Sequence, residues 1–192
     1  VLEHAYDSSQ RMVSLIGDFL NVSRLQTGKF VLEPTTVNFT KLVSEEIDQL
    51  EDTAQTRRIT LKYQEPSAVI SAVADENKLR QVMMNFIDNA IFYSPGGTHV
   101  TIQLYEETDG IVFKVIDQGI GVPEAEQAKL FTKFFRAGNA RKQRPDGTGI
   151  GIFMAKKVIV AHGGSIIFES REGIGSTFGF KLPLEYSPKK FD

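Results

Sequence analysis

The chain has 192 residues, 41% hydrophobic and 24% charged, with a formal net charge of -2 and no cysteine. That is material for one globular domain with a short appendage; the slight acidity argues against a general nucleic-acid binder, and disulfides and thiolate metal sites are excluded. No apolar run approaches the roughly 20 residues that span a bilayer, no signal peptide is visible, and the start at Val1 suggests a piece of a longer protein.

Taken in chain order, Met12, Val13, Ile16, Phe19, Leu20 and Leu25 recur at helical spacing, which predicts a long helix over 2–26 with Gly28 as its stop. That stripe fits a partner helix or an ordinary core face. Pro34 breaks a short extended stretch. A second helix is expected from Phe39 to about Thr56, capped by Asn38. Its Glu45, Glu46, Asp48, Glu51 and Asp52 read most simply as a solvated face. Ile59–Gln64 and Val69–Ala74 look like strands. Asp75 then caps a helix in which Leu79, Val82, Met83, Phe86, Ile87, Ala90 and Ile91 make a wide apolar stripe. Thr98–Glu106 and Ile111–Ile116 alternate as a hairpin around Asp109-Gly110. A looser cationic segment over 132–148 precedes a helix from about Ile150 to Ala161, and strands Ser165–Ser170 and Thr177–Leu182 close the chain. The order predicts a two-layer α/β (α+β) sandwich: a mixed sheet of about five strands, three main helices on one face, and the N-terminal helix outside it.

Three clusters carry chemistry. Asn85 and Asn89 lie four residues apart, so they share one helix face. Mg²⁺ takes hard oxygen ligands and keeps most of its water, so an Asn carbonyl plus phosphate oxygens suffices. Alone, the pair equally fits two polar residues at a core border. Asp117-x-Gly119-x-Gly121 puts a carboxylate at a strand end, able to accept from an adenine amino group, with bare backbone beside it. Alone, it equally fits a tight turn in which Asp117 bonds neighbouring N–H groups. Gly147-Thr148-Gly149-Ile150-Gly151 opens a helix, where free N–H groups favour phosphate, or it is a flexible surface loop. Between the last two, Phe131, Phe134 and Phe135 read as core or lid-anchoring hydrophobes, with Arg136 the plausible phosphate contact. P-loop, protein-kinase and Rossmann patterns are absent.

In this order the clusters resemble the ATP-binding catalytic domain of sensor histidine kinases, within the superfamily shared with gyrase B, heat-shock chaperone and mismatch-repair ATPases. Asn85-Phe86-Ile87-Asp88-Asn89-Ala90 is similar to the family's N-box, Asp117–Gly121 and Gly147–Gly151 to its glycine boxes, and Phe131–Arg136 to its F-box. His162-Gly163-Gly164 and Gly173–Phe178 resemble its ending. The similarity covers about residues 31–184, and residues 1–30 resemble the second helix of the family's dimerisation and phosphotransfer hairpin. The implied division is 1–30 hairpin helix, 31–185 ATP-binding domain and 186–192 tail.

The resemblance implies ATP and Mg²⁺ as ligands, with Asn89 on the metal and Asn85 beside metal and phosphates. It implies Tyr93 against base or ribose, Asp117 on adenine with Gly119 and Gly121 beside it, and Arg136 near the phosphates. Gly147, Thr148, Gly149, Ile150 and Gly151 frame the lid. In hydrolysing relatives a glutamate at the position of Asn85 activates water; an amide cannot, which fits transfer to a separate nucleophile. The partners implied are ATP or ADP, a phospho-accepting hairpin helix of the same or a sister subunit, and a response regulator, with no nucleic acid and no direct membrane contact. The implied location is cytoplasmic, as a free protein or the cytoplasmic part of a membrane receptor. Two departures stand out. The family often has lysine where Phe92 stands, so phosphate affinity would rest on Lys133, Arg136 or Lys142. No phospho-acceptor motif is present, since His4 lacks its acidic neighbour and proline, and His99 and His162 look structural.

Overall fold

The structure, a computed structural model, describes residues 30–145 and 147–186 together with Ile16, Gly17, Leu20, Ser23 and Thr27. Of the predicted N-terminal helix, Ile16, Gly17, Leu20 and Ser23 are helical. Met12, Val13, Phe19, Leu25, Gly28 and His4 lie outside the described residues, as does the tail beyond Tyr186.

The elements follow the hydrophobic periods. Strand β1 (Thr35–Asn38) leads into helix α1 (Phe39–Thr56), whose start is capped by Asn38 accepting from the Lys41 N–H at 2.9 Å. Strands β2 (Thr60–Tyr63) and β3 (Ser71–Ala74) precede α2 (Glu76–Tyr93). Asp75 caps α2, accepting from the Lys78 N–H at 3.0 Å. Strands β4 (His99–Glu107) and β5 (Gly110–Ile116) form the expected hairpin. Short helices α3 (Glu124–Gln127) and α4 (Gly138–Gln143) follow, then α5 (Gly151–Ala161), β6 (Ser165–Arg171) and β7 (Gly175–Leu182).

Five strands make one mixed sheet in the order β2-β4-β5-β7-β6. The β2–β4 pair is parallel, as a crossover through α2 requires, and the others are antiparallel. Helices α1, α2 and α5 pack together, and all seven residues of the α2 stripe are buried. Aromatic rings fill the space between the layers: Phe113 on Phe180 (5.3 Å), Phe86 on Phe178 (5.7 Å) and Phe168 on Phe178 (5.0 Å). Burying each such side chain contributes about 1.5–3 kcal/mol.

Three expectations need correction. The stretch over 69–74 is a strand only from Ser71 to Ala74, and it pairs with β1 outside the main sheet. The β-branched run Thr35-Thr36-Val37 after Pro34 supplies its partner. The charge run on α1 is only partly solvated: Glu46 is fully buried at the α1–α2 interface, its Oε1 2.6 Å from Arg80 Nη1. Arg80 also holds Glu45 (2.8 Å) and Glu76 (2.9 Å). Burial pushes the Glu46 carboxyl up despite that contact, and its Oε2 has no partner. Finally, the cationic segment is not wholly irregular, because residues 138–143 coil into α4.

Candidate nucleotide site

A cavity of about 650 Å³ opens between α2, the β5–α3 turn, α4 and the start of α5. The last two turns of α2 bring Asn85, Asp88, Asn89 and Tyr93 to its wall, since residues three and four apart share a helix face. The Asn89 Nδ2 donates to Asn85 Oδ1 at 3.2 Å, so each carbonyl's direction is set by its neighbour. Opposite lies Gly151, at the first turn of α5. A Cβ there would meet the Asn85 amide nitrogen, so glycine is what lets α5 approach α2.

Asp117 follows β5 and lines the same cavity, 9% exposed. Its Oδ1 accepts from the Gly119 N–H (2.7 Å) and the Ser176 N–H (3.1 Å). Burial pushes its carboxyl up, opposed by those two bonds. One oxygen thus holds the tight turn, and among the described residues Oδ2 accepts no hydrogen bond, which leaves it available to a ligand. A Cβ at Gly119 would stand 2.7 Å from the Tyr93 carbonyl oxygen and 2.8 Å from Asp117 Oδ1, so a side chain there would fill the crevice. Gly119 itself does not line the cavity.

Gly121, Arg136, Gly147, Thr148 and Gly149 also border the cavity. Ile150 does not; it is buried against Met154, with Phe30 and Phe153 packed on the pair. Lys133 is not on the wall either, its Nζ resting 5.6 Å from the Phe153 ring centroid. Arg136 borders the cavity while its guanidinium donates to the carbonyls of Ala140 (3.2 Å), Pro145 (3.2 Å) and Arg144, so it organises the segment over the cavity. Of the three phenylalanines, Phe131 packs edge-on to Phe168 (5.6 Å) and Phe135 lines the cavity. Phe134 departs from the hydrophobic-anchor reading: it is 61% exposed at φ 61°, its N–H donating to the Gly149 carbonyl.

Sequence reasoning passed over Asp88 and Arg144, which meet at 3.0 Å on the cavity rim. Both sat inside quoted stretches, and an ion pair across 56 positions has no local signature. His162 is structural, as expected: its Nε2 accepts from the Asp75 N–H (2.9 Å) and its Nδ1 faces the Val158 carbonyl (2.8 Å).

The residues fit a nucleotide and one hard cation. An amide oxygen of the Asn85–Asn89 pair on the cavity wall suits Mg²⁺ sharing its shell with phosphate and water. No helix among the described residues is long and apolar enough to cross a membrane.

Comparison with known proteins agrees with this geometry. The circadian input-output histidine kinase CikA of Synechococcus elongatus is 35% identical over 181 residues, 93% of this chain and 24% of that protein. The sensor histidine kinase WalK of Bacillus subtilis is 34% identical, over 93% of this chain and 30% of its own length. The chain thus spans less than a third of either relative. Full-length ShkA, solved in complex with AMPPNP, superposes with a TM-score of 0.81 at 24% identity, covering 100% of this chain and 41% of that one, which shows a shared fold. The profile of the histidine kinase-, DNA gyrase B- and HSP90-like ATPases matches residues 74–186, from the end of β3 past the last strand. With more than half of the chain matched, and with the amide pair, the buried acid and the glycine turn around one cavity, the protein belongs to the histidine kinase-, DNA gyrase B- and HSP90-like ATPase family.

Proposed function

We propose that this chain binds Mg-ATP and donates the γ-phosphate to a histidine on a hairpin helix, as the catalytic part of a two-component sensor histidine kinase. The observation that carries the reading is the convergence of Asn85, Asn89, Asp117 and the Gly147–Gly151 turn on one cavity. Kinship with CikA and WalK, both named histidine kinases, supports the same class of reaction. In this reading residues 1–30 are the hairpin's second helix, and a response regulator receives the phosphoryl group afterwards.

Asp117 Oδ2 accepts from the adenine amino group, and Gly119 leaves room for the ring between Asp117 and Tyr93. Asn89 offers its carbonyl oxygen to the cation, with Asn85 beside it. Bound Mg²⁺ supplies charge neutralisation to the phosphates. The start of α5 faces phosphate, where the helix dipole favours negative charge, while the Gly147 and Ile150 N–H groups are used within the turn, on the Arg144 carbonyl and Thr148 Oγ1. Arg136 shapes the lid that excludes water. None of these groups acts as a base, and catalysis is positioning with electrostatic stabilisation. Asn85 cannot activate water, so transfer to a separate acceptor is favoured over hydrolysis.

The test is calorimetric titration with Mg-ADP and Mg-ATP, followed by addition of a separate hairpin bearing a phospho-acceptor histidine. Saturable binding and a phosphoryl label on the hairpin alone are expected. A stable label on His4, His99 or His162 of this chain, or no binding at millimolar nucleotide, overturns the reading.

A further inference from the structure

Phe92 stands on the last turn of α2, and two guanidinium groups share its ring. The central carbon of Arg57 lies 4.1 Å from the ring centroid and that of Arg144 4.6 Å. Each cation has a second tether. Arg57 Nη2 donates to the Phe92 carbonyl at 2.9 Å, and Arg144 Nη1 meets Asp88 Oδ2 at 3.0 Å. Gln143 Nε2 donates to the same Phe92 carbonyl at 3.3 Å. Neighbouring residues at the end of α4 thus grip one residue of α2. The Arg144 carbonyl in turn accepts from Arg136 and from the Gly147 N–H. Arg144 borders the cavity, whereas Phe92 does not.

We propose that Phe92 is a positioning residue that acts through Arg144, stacking the lid's arginine at the phosphate end of the cavity so that α4 rather than α2 delivers the cation there. The inference rests on the nucleotide reading for what the cation meets, but not for the stack itself. An aromatic face attracts a guanidinium through its quadrupole, and Asp88 offsets the repulsion between the two arginines. A lysine at 92 would place a third cation among them and drive the lid off.

Two measurements on the full chain test this: hydrogen exchange of the lid amides without nucleotide, and calorimetry with Mg-ADP and Mg-ATP. The Arg141 and Arg144 amides, which donate to the Ala137 and Ala140 carbonyls, are the reporters. Phe92→Leu and Arg144→Gln should each speed their exchange by about three- to tenfold, the double variant doing no more than the larger single one. Phe92→Tyr should restore protection. Phe92→Lys should expose the lid and weaken Mg-ATP binding although it adds a positive charge. Tighter Mg-ATP binding by Phe92→Lys with an unchanged lid, or additive effects of Phe92→Leu and Arg144→Gln, overturns the proposal. The two readings fail separately: absent nucleotide binding by the unmodified chain removes the nucleotide site, whereas unaltered exchange in Phe92→Leu removes the stack.

Discussion

Asn89 donates its side-chain N–H to the carbonyl oxygen of Asn85 across one turn of α2, at 3.2 Å, and that bond leaves the Asn89 carbonyl oxygen available to a ligand. Asn89→Ala should therefore weaken Mg-ATP binding by about tenfold or more, the scale of one contact to a charged group. Calorimetry with and without EDTA checks it. The unmodified chain should lose affinity on chelation, and the variant should be nearly indifferent to it. Gly151→Ala, which pushes a methyl into the Asn85 amide, should weaken binding in the same direction by displacing the hydrogen-bond partner of Asn89.

Asp117→Asn separates the two jobs of that side chain. An amide oxygen can keep accepting from Gly119 and Ser176, so the fold should survive. The other position turns from acceptor to donor and confronts the adenine amino group. Affinity for ATP and ADP alike should fall about ten- to a hundredfold, from one unpaired buried polar contact. An unchanged affinity in titration would show that the base lies elsewhere.

Arg80 is the counter-charge of a carboxylate with no exposed surface. Arg80→Met should destabilise the domain by about 3–5 kcal/mol, because Glu46 is left buried and alone. Adding Glu46→Gln should recover part of that loss. Urea unfolding of both variants checks the coupling, and equal stability of single and double variants would contradict it.

His162 gives the domain an acid limit. Burial, the largest influence, lowers its pKa below the ordinary 6.5, helped by Lys78 and opposed by the bond to Val158 and by Asp75. A lowered folded-state value means that the unfolded chain binds the proton first. The contribution of neutral His162 is therefore intact above about pH 6.5 and is lost as pH falls through its folded value. Protonated Nε2 could no longer accept from the Asp75 N–H that ties α5 to the cap of α2. Thermal unfolding between pH 7 and 5 should show a falling midpoint that His162→Gln flattens, since Gln retains an acceptor without titrating.

Local patterns carried most of the elements and the chemical inventory. The α2 stripe, the Asn38 and Asp75 caps and the Asp109-Gly110 turn depend on neighbours within a few positions, where periodicity and side-chain length speak directly. The amide pair, the acid at the strand end and the glycine run were legible for the same reason. Long-range pairing was not. That β3 leaves the main sheet for β1, that Glu46 turns inward to Arg80 and that Phe134 turns outward depend on which surfaces meet after folding. So does the meeting of Arg144 with Phe92 and Asp88, which gives the Phe92 departure from the family's lysine a structural role. The chain's order of residues determined which groups could serve a nucleotide; only the packing of α4 and α5 against α2 decided which of them share a cavity, because contact across dozens of positions is set by the whole core and not by spacing.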